Sequence, residues 1–393
     1  MRHLKGILLL LIIVVLPLIL ESPKTISSQE ASTVIVIVDD FTGEVNLPAL
    51  ARELTIDTAA PTSVPGRPSR PPRAPITDFS TYVQLSNARV TRAEEVISER
   101  GLVNRDTDPE TPDNCAVTLE GQVYATRGAG TDENLEEAKP HGVYVREAVE
   151  AEIEHLQLED VEVVEVNIPA FDTTSIVGDI QSTLARYQKA NVVVNMSFSI
   201  IPCDLLATLA SAEVYAEQLA NDENFEALEA FRASIAEYFE ENVNAETIVD
   251  DAIRSLIARF DNDDRQMIFI GASGNYGQDF SFLPAAWPEV LSIGASTKPS
   301  EGLLAVDEPA EYSNLAQIIV PLFPESPLGT SFAAPRVSAL LAAVLTKYSA
   351  ADSCDGQGVS ALLELEFEDY TIIEAFEQSC PDLLVWLNEV IGE

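Results

Sequence analysis

Basic side chains are scarce in this sequence. Its 23 Lys and Arg residues stand against 64 Asp and Glu residues, which gives a formal net charge of -41 at pH 7. Proteins that bind nucleic acid need Lys and Arg to neutralise phosphates, so this balance excludes nucleic acid as a partner. An acidic surface of this kind repels copies of itself, and we therefore expect a monomer.

Histidine is rarer still, with only 3 residues in the chain. Because His is the side chain most often used as a general base near neutral pH, any such role is confined to His3, His141 and His155. His3 lies in the N-terminal segment considered next. His155 stands among glutamates, off the apolar stripe of its predicted helix, as a solvated surface residue would. His141 is therefore the preferred base.

The longest uninterrupted apolar run is Ile7–Leu20, which follows Arg2 and Lys5. A basic start, a short apolar run and a polar continuation are typical of a secretory signal. The run is shorter than the roughly 20 residues that a bilayer span needs. We predict that residues 1–28 are a signal peptide and that the protein is secreted or extracytoplasmic. It would then have no stable membrane partner, unless the segment stays uncleaved and acts as an anchor.

The chain has only 4 cysteines: Cys115, Cys203, Cys354 and Cys380. An even number in an exported protein favours disulfides, and the spacing fits no zinc site. Three pairings are open. We favour Cys354 with Cys380, which flank one helical C-terminal segment, and Cys115 with Cys203.

Strand-like and helical patterns alternate along the chain. β-branched and apolar runs lie near residues 33, 161, 191, 267, 290 and 317, and helical patterns lie near residues 143, 175, 246 and 331. This alternation is typical of a parallel sheet covered by helices on both faces. We therefore predict an α/β fold, a three-layer, doubly wound and mostly parallel sheet.

Ser331 lies in the segment Gly329–Pro335, which reads Gly-Thr-Ser-Phe-Ala-Ala-Pro and precedes the apolar run Val337–Leu345. The position predicts a serine at the N-terminus of a buried helix, where unpaired N–H groups favour negative charge. Such a serine becomes a nucleophile only when a base removes its proton. The alternative is that Gly-Thr-Ser merely caps a core helix.

Carboxylates stand where a base needs an orienting partner. The run Thr33–Val38 is typical of a strand buried on both faces, and Asp39 follows it at the carboxyl end, where open α/β sheets place their sites. His141 and Gly142 stand at the entrance of the next predicted helix. Asp40 is the alternative partner for His141.

These segments, taken in chain order, resemble those of subtilisin-like serine proteases (subtilases, peptidase family S8). The resemblance covers the Asp39 strand, His141-Gly142, the strand Val192–Ser197, Gly274-Asn275, and the Ser331 segment. It implies a subtilisin-like fold and a serine endopeptidase that needs no cofactor for its chemistry. Ser331 would be the nucleophile, His141 the base, Asp39 the orienting acid and Asn275 the oxyanion donor, and the partner would be a polypeptide substrate.

The same resemblance implies which residues line the substrate cleft: Ser197, Phe198, Ser199, Ala272, Ser273 and Gly274. Two residues depart from the family pattern. Asp40 stands where a small hydroxyl residue is usual, and Ser199 stands where a glycine is usual. Neither departure removes a catalytic atom, but both leave open an inactive homologue that binds peptides or acts as a scaffold.

The peptidase domain implied by the resemblance spans residues 33–348. It carries insertions at about 44–135, which is rich in proline, and at about 204–260, which has helical spacing. Residues 349–393 are predicted to form a helical segment packed on the core. The acidic cluster at 261–264 is a candidate structural calcium site, although it lacks the EF-hand loop pattern, and we expect no metal at the site of chemistry.

Overall fold

A six-stranded sheet forms the centre of the computed structural model, which describes residues 33–43, 50–51, 53–54, 74–103, 114–118, 139–168, 170–260, 266–348 and 352–391. Its strands are β1 Thr33–Asp39, β3 Val161–Asn167, β4 Asn191–Met196, β6 Met267–Ala272, β7 Val290–Ala295 and β8 Ile318–Val320. Their order is β3-β1-β4-β6-β7-β8, and every neighbouring pair is parallel. Two further strands, β2 Asn114–Val117 and β5 Ser199–Pro202, pair antiparallel in a small separate sheet.

Helices cover both faces of the large sheet: α1 Phe79–Leu85, α2 Asn87–Glu99, α3 His141–His155, α4 Thr173–Leu184, α5 Leu206–Asn221, α6 Phe225–Asn242, α7 Ala252–Phe260, α8 Ala334–Lys347, α9 Ile372–Ser379 and α10 Leu384–Ile391. Because side chains alternate along a strand, Val34, Val36 and Val38 face one layer while Ile35 and Ile37 face the other. α1, α2 and α4 to α7 belong to the first layer, and α3, α8, α9 and α10 to the second. The predicted three-layer α/β fold is confirmed.

Some predicted boundaries move. The helical pattern near residue 246 becomes a helix only at Ala252, and Ser331 lies in a 3₁₀ turn, Thr330–Phe332, ahead of α8. The predicted signal segment 1–28 and the acidic cluster at 261–264 lie outside the described residues, as does most of the proline-rich stretch. No described helix combines the length and apolar character that crossing a membrane would need.

Two disulfides join the chain as the sequence favoured, Cys115 with Cys203 and Cys354 with Cys380. The first ties β2 to the residue that follows β5. The second closes the C-terminal region, whose helices α9 and α10 share a core cluster with α8. Both buried cysteines of the second bridge lie against Asp382, whose carboxylate accepts a hydrogen bond from the Cys354 backbone N–H.

A fully buried ion pair links α3 to α8. Glu152 of α3 and Arg336 of α8 have no exposed side-chain surface, and Arg336 Nε donates to Glu152 Oε2 at 2.6 Å. Burial raises the pKa of the Glu152 carboxyl, while the adjacent guanidinium acts in the opposite direction. Since Arg remains protonated, the pair fixes one register between the two helices.

The remaining Arg336 donors hold loop backbone. Nη1 donates to the carbonyl oxygens of Ser300 at 2.7 Å and Pro321 at 2.8 Å, and Nη2 donates to that of Glu301. The guanidinium carbon lies 3.8 Å from the centroid of the Phe323 ring. One buried cation therefore organises two loops as well as the contact between α3 and α8.

We expect Glu152→Ala to lower the free energy of unfolding by about 3–5 kcal/mol, because it leaves the Arg336 charge buried without a counter-ion. Urea denaturation followed by circular dichroism measures this loss.

The matched control is Glu95→Ala, which breaks the half-exposed pair between Arg92 and Glu95, 3.3 Å apart on α2. Its cost should stay below about 1 kcal/mol, because solvent screens such pairs. Equal effects of the two substitutions would contradict the structural role of the buried pair.

Candidate active site

The site lies at the carboxyl ends of three adjacent strands. Asp39 ends β1, Ser197 follows β4, and Asn275 follows β6 by a short loop. His141 is the first residue of α3, and Ser331 lies in the turn before α8. Parallel strands place their carboxyl ends at one sheet edge, which is why residues far apart in sequence meet here.

Asp39 contacts His141 directly. His141 Nδ1 and Asp39 Oδ1 are 2.8 Å apart, and Asp39 is fully buried. The neighbouring Asp40 is used differently: its Oδ1 accepts hydrogen bonds from the backbone N–H groups of Thr42 at 2.9 Å and Gly43 at 2.7 Å. Of the two aspartates that the sequence left open, Asp39 meets the histidine and Asp40 closes a turn.

The Asp39 carboxylate is fully buried, which disfavours its charged form. Burial raises its pKa, and the charge and hydrogen bond of His141 act in the opposite direction. Oδ1 also accepts from the Asp40 N–H at 2.7 Å, whereas Oδ2 is buried without a hydrogen-bond partner among the described residues. The imidazole is thus the main partner of a charge that solvent does not reach.

Gly142 lets α3 approach the end of β1. Its N–H donates to the Asp40 carbonyl oxygen at 2.9 Å. A Cβ at this position would lie 3.0 Å from Asp39 Cβ, from Asp40 O and from Phe41 Cδ1, closer than most such contacts. The glycine after His141 is therefore a spacing requirement of the contact between His141 and Asp39.

Ser331 borders the strand edge beside β4. Its Oγ donates to the Ser197 carbonyl oxygen at 3.4 Å, and Ser197 Oγ contacts the Ser331 carbonyl oxygen at 3.1 Å. The ring of Phe332, the next residue, lies with its centroid 5.4 Å from that of His141. The serine turn and the histidine helix therefore meet at Phe332.

The Asn275 amide has a fixed orientation. Its Oδ1 accepts from the Thr330 backbone N–H at 2.8 Å and from Thr330 Oγ1 at 3.1 Å. Nδ2 lies toward Gly329, because a Cβ built there would be 3.5 Å from it. Gly329 has φ +149°, a conformation that side chains rarely adopt. Thr330 thus turns the amide nitrogen of Asn275 toward the serine segment.

Asn314 holds the loop that carries Asn275, whereas the sequence only places it in a loop before the last strand of the sheet. Its Oδ1 accepts from the backbone N–H groups of Tyr276 at 2.9 Å and Gln278 at 3.1 Å, and its own N–H donates to Gly274 O at 3.0 Å. The only indication in the sequence was that Asn314 is a polar residue between the apolar strands β7 and β8. Its partners lie too far away in sequence for that indication to identify them.

The predicted cleft residues take different positions. Ser197 lies against Ser331, Phe198 is buried beside it, and Ser199 begins β5 opposite Val117. The other three form the buried end of β6 and its loop: Ala272, Ser273 and Gly274. Gly274 N–H donates to Thr330 Oγ1 at 3.2 Å, so this loop also adjoins the serine turn.

One group of possible metal ligands comes together among the described residues, namely Cys354, Cys380 and Asp382. Both of its sulfurs are joined in a disulfide, which leaves the carboxylate as the ligand that the group can offer. The group lies in the C-terminal region, after α8.

No protein-family model matches the sequence, and no curated protein matches it significantly. Among solved structures, the self-cleaved protease domain of PatA aligns at 18% identity with a TM-score of 0.27, over 52% of this chain and 64% of that one. A cold-adapted subtilisin-like serine proteinase aligns at 16% identity with a TM-score of 0.29, over 52% of this chain and 59% of that one.

The PatG macrocyclase in complex with peptide aligns over more of the chain, 80% of this one and 76% of that one, at 14% identity with a TM-score of 0.33. The chain thus covers less than two thirds of the PatA protease domain and of the cold-adapted proteinase. At these identities and TM-scores the likeness carries no conclusion about the activity of this chain.

We expect Gly142→Ala to lower the free energy of unfolding by about 1–3 kcal/mol, because the added methyl group overpacks the contact between α3 and β1. Chemical denaturation measures the change. Gly178→Ala is the control, because a Cβ there meets nothing within 4 Å. That substitution should instead stabilise α4 by about 0.5–1 kcal/mol; a stabilising Gly142→Ala would contradict the close approach.

Asp39→Asn should gain stability relative to the wild type as pH rises from about 4 to 8. Burial raises the pKa of Asp39, so the folded protein holds that proton more tightly than the unfolded chain does. Ionisation at higher pH therefore destabilises the wild type, whereas Asn does not ionise. Urea denaturation across this pH range measures the difference.

Asp78→Asn is the opposite control. Hydrogen bonding by Thr81 lowers the pKa of Asp78, so ionisation there stabilises the folded state; the variant should lose relative stability as pH rises through the acid range to about 5 and change little above it. The same trend in both variants would refute the burial argument for Asp39.

Proposed function

We propose that this chain is an exported serine endopeptidase that hydrolyses peptide bonds through Ser331, His141 and Asp39. The observation that carries the proposal is the 2.8 Å contact between Asp39 and His141, beside the turn that holds Ser331. A buried carboxylate behind an imidazole, next to a serine at the start of a helix, is the arrangement that activates a hydroxyl for acyl transfer.

In this reaction His141 removes the proton from Ser331 Oγ as that oxygen attacks the carbonyl carbon of the scissile peptide. Asp39 holds the tautomer of the imidazole and stabilises the imidazolium that forms. The tetrahedral intermediate collapses when His141 passes the proton to the leaving amine. Water then repeats the sequence on the acyl-enzyme, which returns the Ser331 hydroxyl and releases the carboxylate product.

Negative charge develops on the former carbonyl oxygen, and we assign Asn275 Nδ2 and the Ser331 backbone N–H as its donors. The support is the fixed Asn275 amide, whose oxygen is engaged twice by Thr330. A donor that is already oriented stabilises the intermediate without reorganising during the reaction. No metal or cofactor is assigned a step.

Export is the part of the proposal that rests on the N-terminal sequence pattern and on two disulfides. Disulfides persist mainly outside the cytoplasm, and this chain forms two of them. An acidic surface of formal charge -41 suits a protein that stays dispersed outside the cell and attracts basic polypeptides.

Ser331→Ala should abolish labelling by a fluorophosphonate probe and reduce casein hydrolysis by about 10⁶-fold, because the acyl-enzyme has no oxygen on which to form. In-gel fluorescence and a casein digest are the measurements. Ser379→Ala is the matched control: this serine of α9 only donates to Ala375 O at 2.6 Å, so labelling should be unchanged.

Labelling that survives Ser331→Ala would refute the assignment of the nucleophile. A correctly folded wild type that neither reacts with the probe nor cleaves casein would favour the alternative of an inactive homologue that binds peptides.

A further inference from the structure

The small antiparallel sheet begins next to the proposed nucleophile. In β5, Ser199 is two positions after Ser197, whose carbonyl oxygen accepts the Ser331 Oγ bond at 3.4 Å. Val117 of β2 lies opposite Ser199, and Cys115 lies opposite Ile201. Since the strands are antiparallel, β2 runs toward the site and its C-terminal end is nearest to Ser331.

β2 pairs with one edge of β5. The carbonyl oxygen of Ser197 lies on the continuation of that same edge toward Ser331. Ile200 N–H donates in the other direction, to Leu283 O at 2.8 Å. Backbone groups alternate sides along a strand, so Ser199 and Ile201 direct theirs toward β2.

The opposite edge of β2 is also paired. Ala116 N–H donates to Phe171 O at 2.6 Å, and Cys115 forms an isolated antiparallel bridge with Asp172. β2 therefore lies in a slot between β5 and the segment that precedes α4, with hydrogen bonds on both sides.

An extended peptide can bind a protein by pairing with an exposed strand edge such as that of β5. Its backbone hydrogen bonds then give affinity, and pockets for alternate side chains give specificity. A substrate that pairs with residues 197–201 in the antiparallel sense would run its N-terminal part along β5, away from Ser331. The backbone groups of Ser199 and Ile201 that would receive it already face Val117 and Cys115.

Several contacts make β2 a permanent part of the fold. All four of its residues are buried, and the Cys115–Cys203 disulfide joins it covalently to the end of β5. Asn114 Nδ2 donates to the buried Asp251 at 3.0 Å. A peptide would have to displace these core contacts to reach the edge, and backbone pairs alone repay little of that loss.

We propose that β2 is a specificity-determining strand that fills the upstream half of the peptide-binding edge. Substrate backbone pairing on this edge is then confined to Ser197. The substrates are peptides recognised by the one or two residues that immediately precede the scissile bond, and any longer N-terminal stretch leaves the edge. This inference rests on the proposed function of the Ser331 site.

The test on the wild type is a length series of acetylated peptidyl anilides that share the same residue before the scissile bond and contain one to four residues. We expect kcat/KM to rise from one residue to two and then to stay within about twofold, because no further backbone pair forms. A rise of about tenfold with the third or fourth residue would overturn the proposal.

Fluorophosphonate labelling of Ser331 separates the two levels of failure. A wild type that is not labelled refutes the proposed function and the role of β2 together. A labelled wild type whose kcat/KM keeps rising with length refutes only the role of β2.

Discussion

The ion pair between Glu152 and Arg336 is the interaction on which the geometry of the candidate site depends. It lies between α3, which begins with His141, and α8, which follows the turn of Ser331. Apolar helix faces tolerate small shifts, whereas a buried charge pair at 2.6 Å has one satisfactory arrangement. Because α3 begins with His141 and α8 follows the turn of Ser331, the pair fixes how the elements next to these two residues lie against each other.

The Arg336 guanidinium also contacts the backbone of two loops outside α3 and α8. By holding carbonyl oxygens at Ser300, Glu301 and Pro321, Arg336 links the loops after β7 and β8 to the helix of the serine. The chain has 64 acidic residues and only 23 basic ones, yet Arg336 is fully buried. There it neutralises a carboxylate and donates hydrogen bonds to loop carbonyl oxygens. The chain as a whole carries a large excess of negative charge, whereas the buried charges of Glu152 and Arg336 balance each other.

Local pattern was enough to predict the six strands of the large sheet, because five of them are almost entirely buried runs and the edge strand β3 is rich in β-branched valine. The resemblance of their short motifs, in chain order, to those of subtilisin-like proteases implied that Asp39, His141, Asn275 and Ser331 belong together. It could not choose between Asp39 and Asp40, because adjacent residues at a strand end differ only in where their side chains point. The hydrogen bonds of each carboxylate make that difference visible.

Apart from the two disulfides, long-range contacts could not be predicted from local pattern. Glu152 stands in an acidic stretch that is typical of a solvated helix face, and only its partner 184 residues away explains its burial. β2 is four residues long and lies inside a proline-rich insertion, so nothing local indicates that it pairs with β5. In both cases the deciding neighbour is remote in sequence.

The position of β1 has a consequence for how the proposed activity would be lost. β1 pairs with a strand on each side, all of its residues are buried, and its last residue is Asp39. A strand of this kind opens only when the whole domain opens, unlike a site built on surface loops. Local unfolding of the insertions or the chain ends would therefore leave Asp39 in place behind His141. Inactivation by heat would require unfolding of the whole domain.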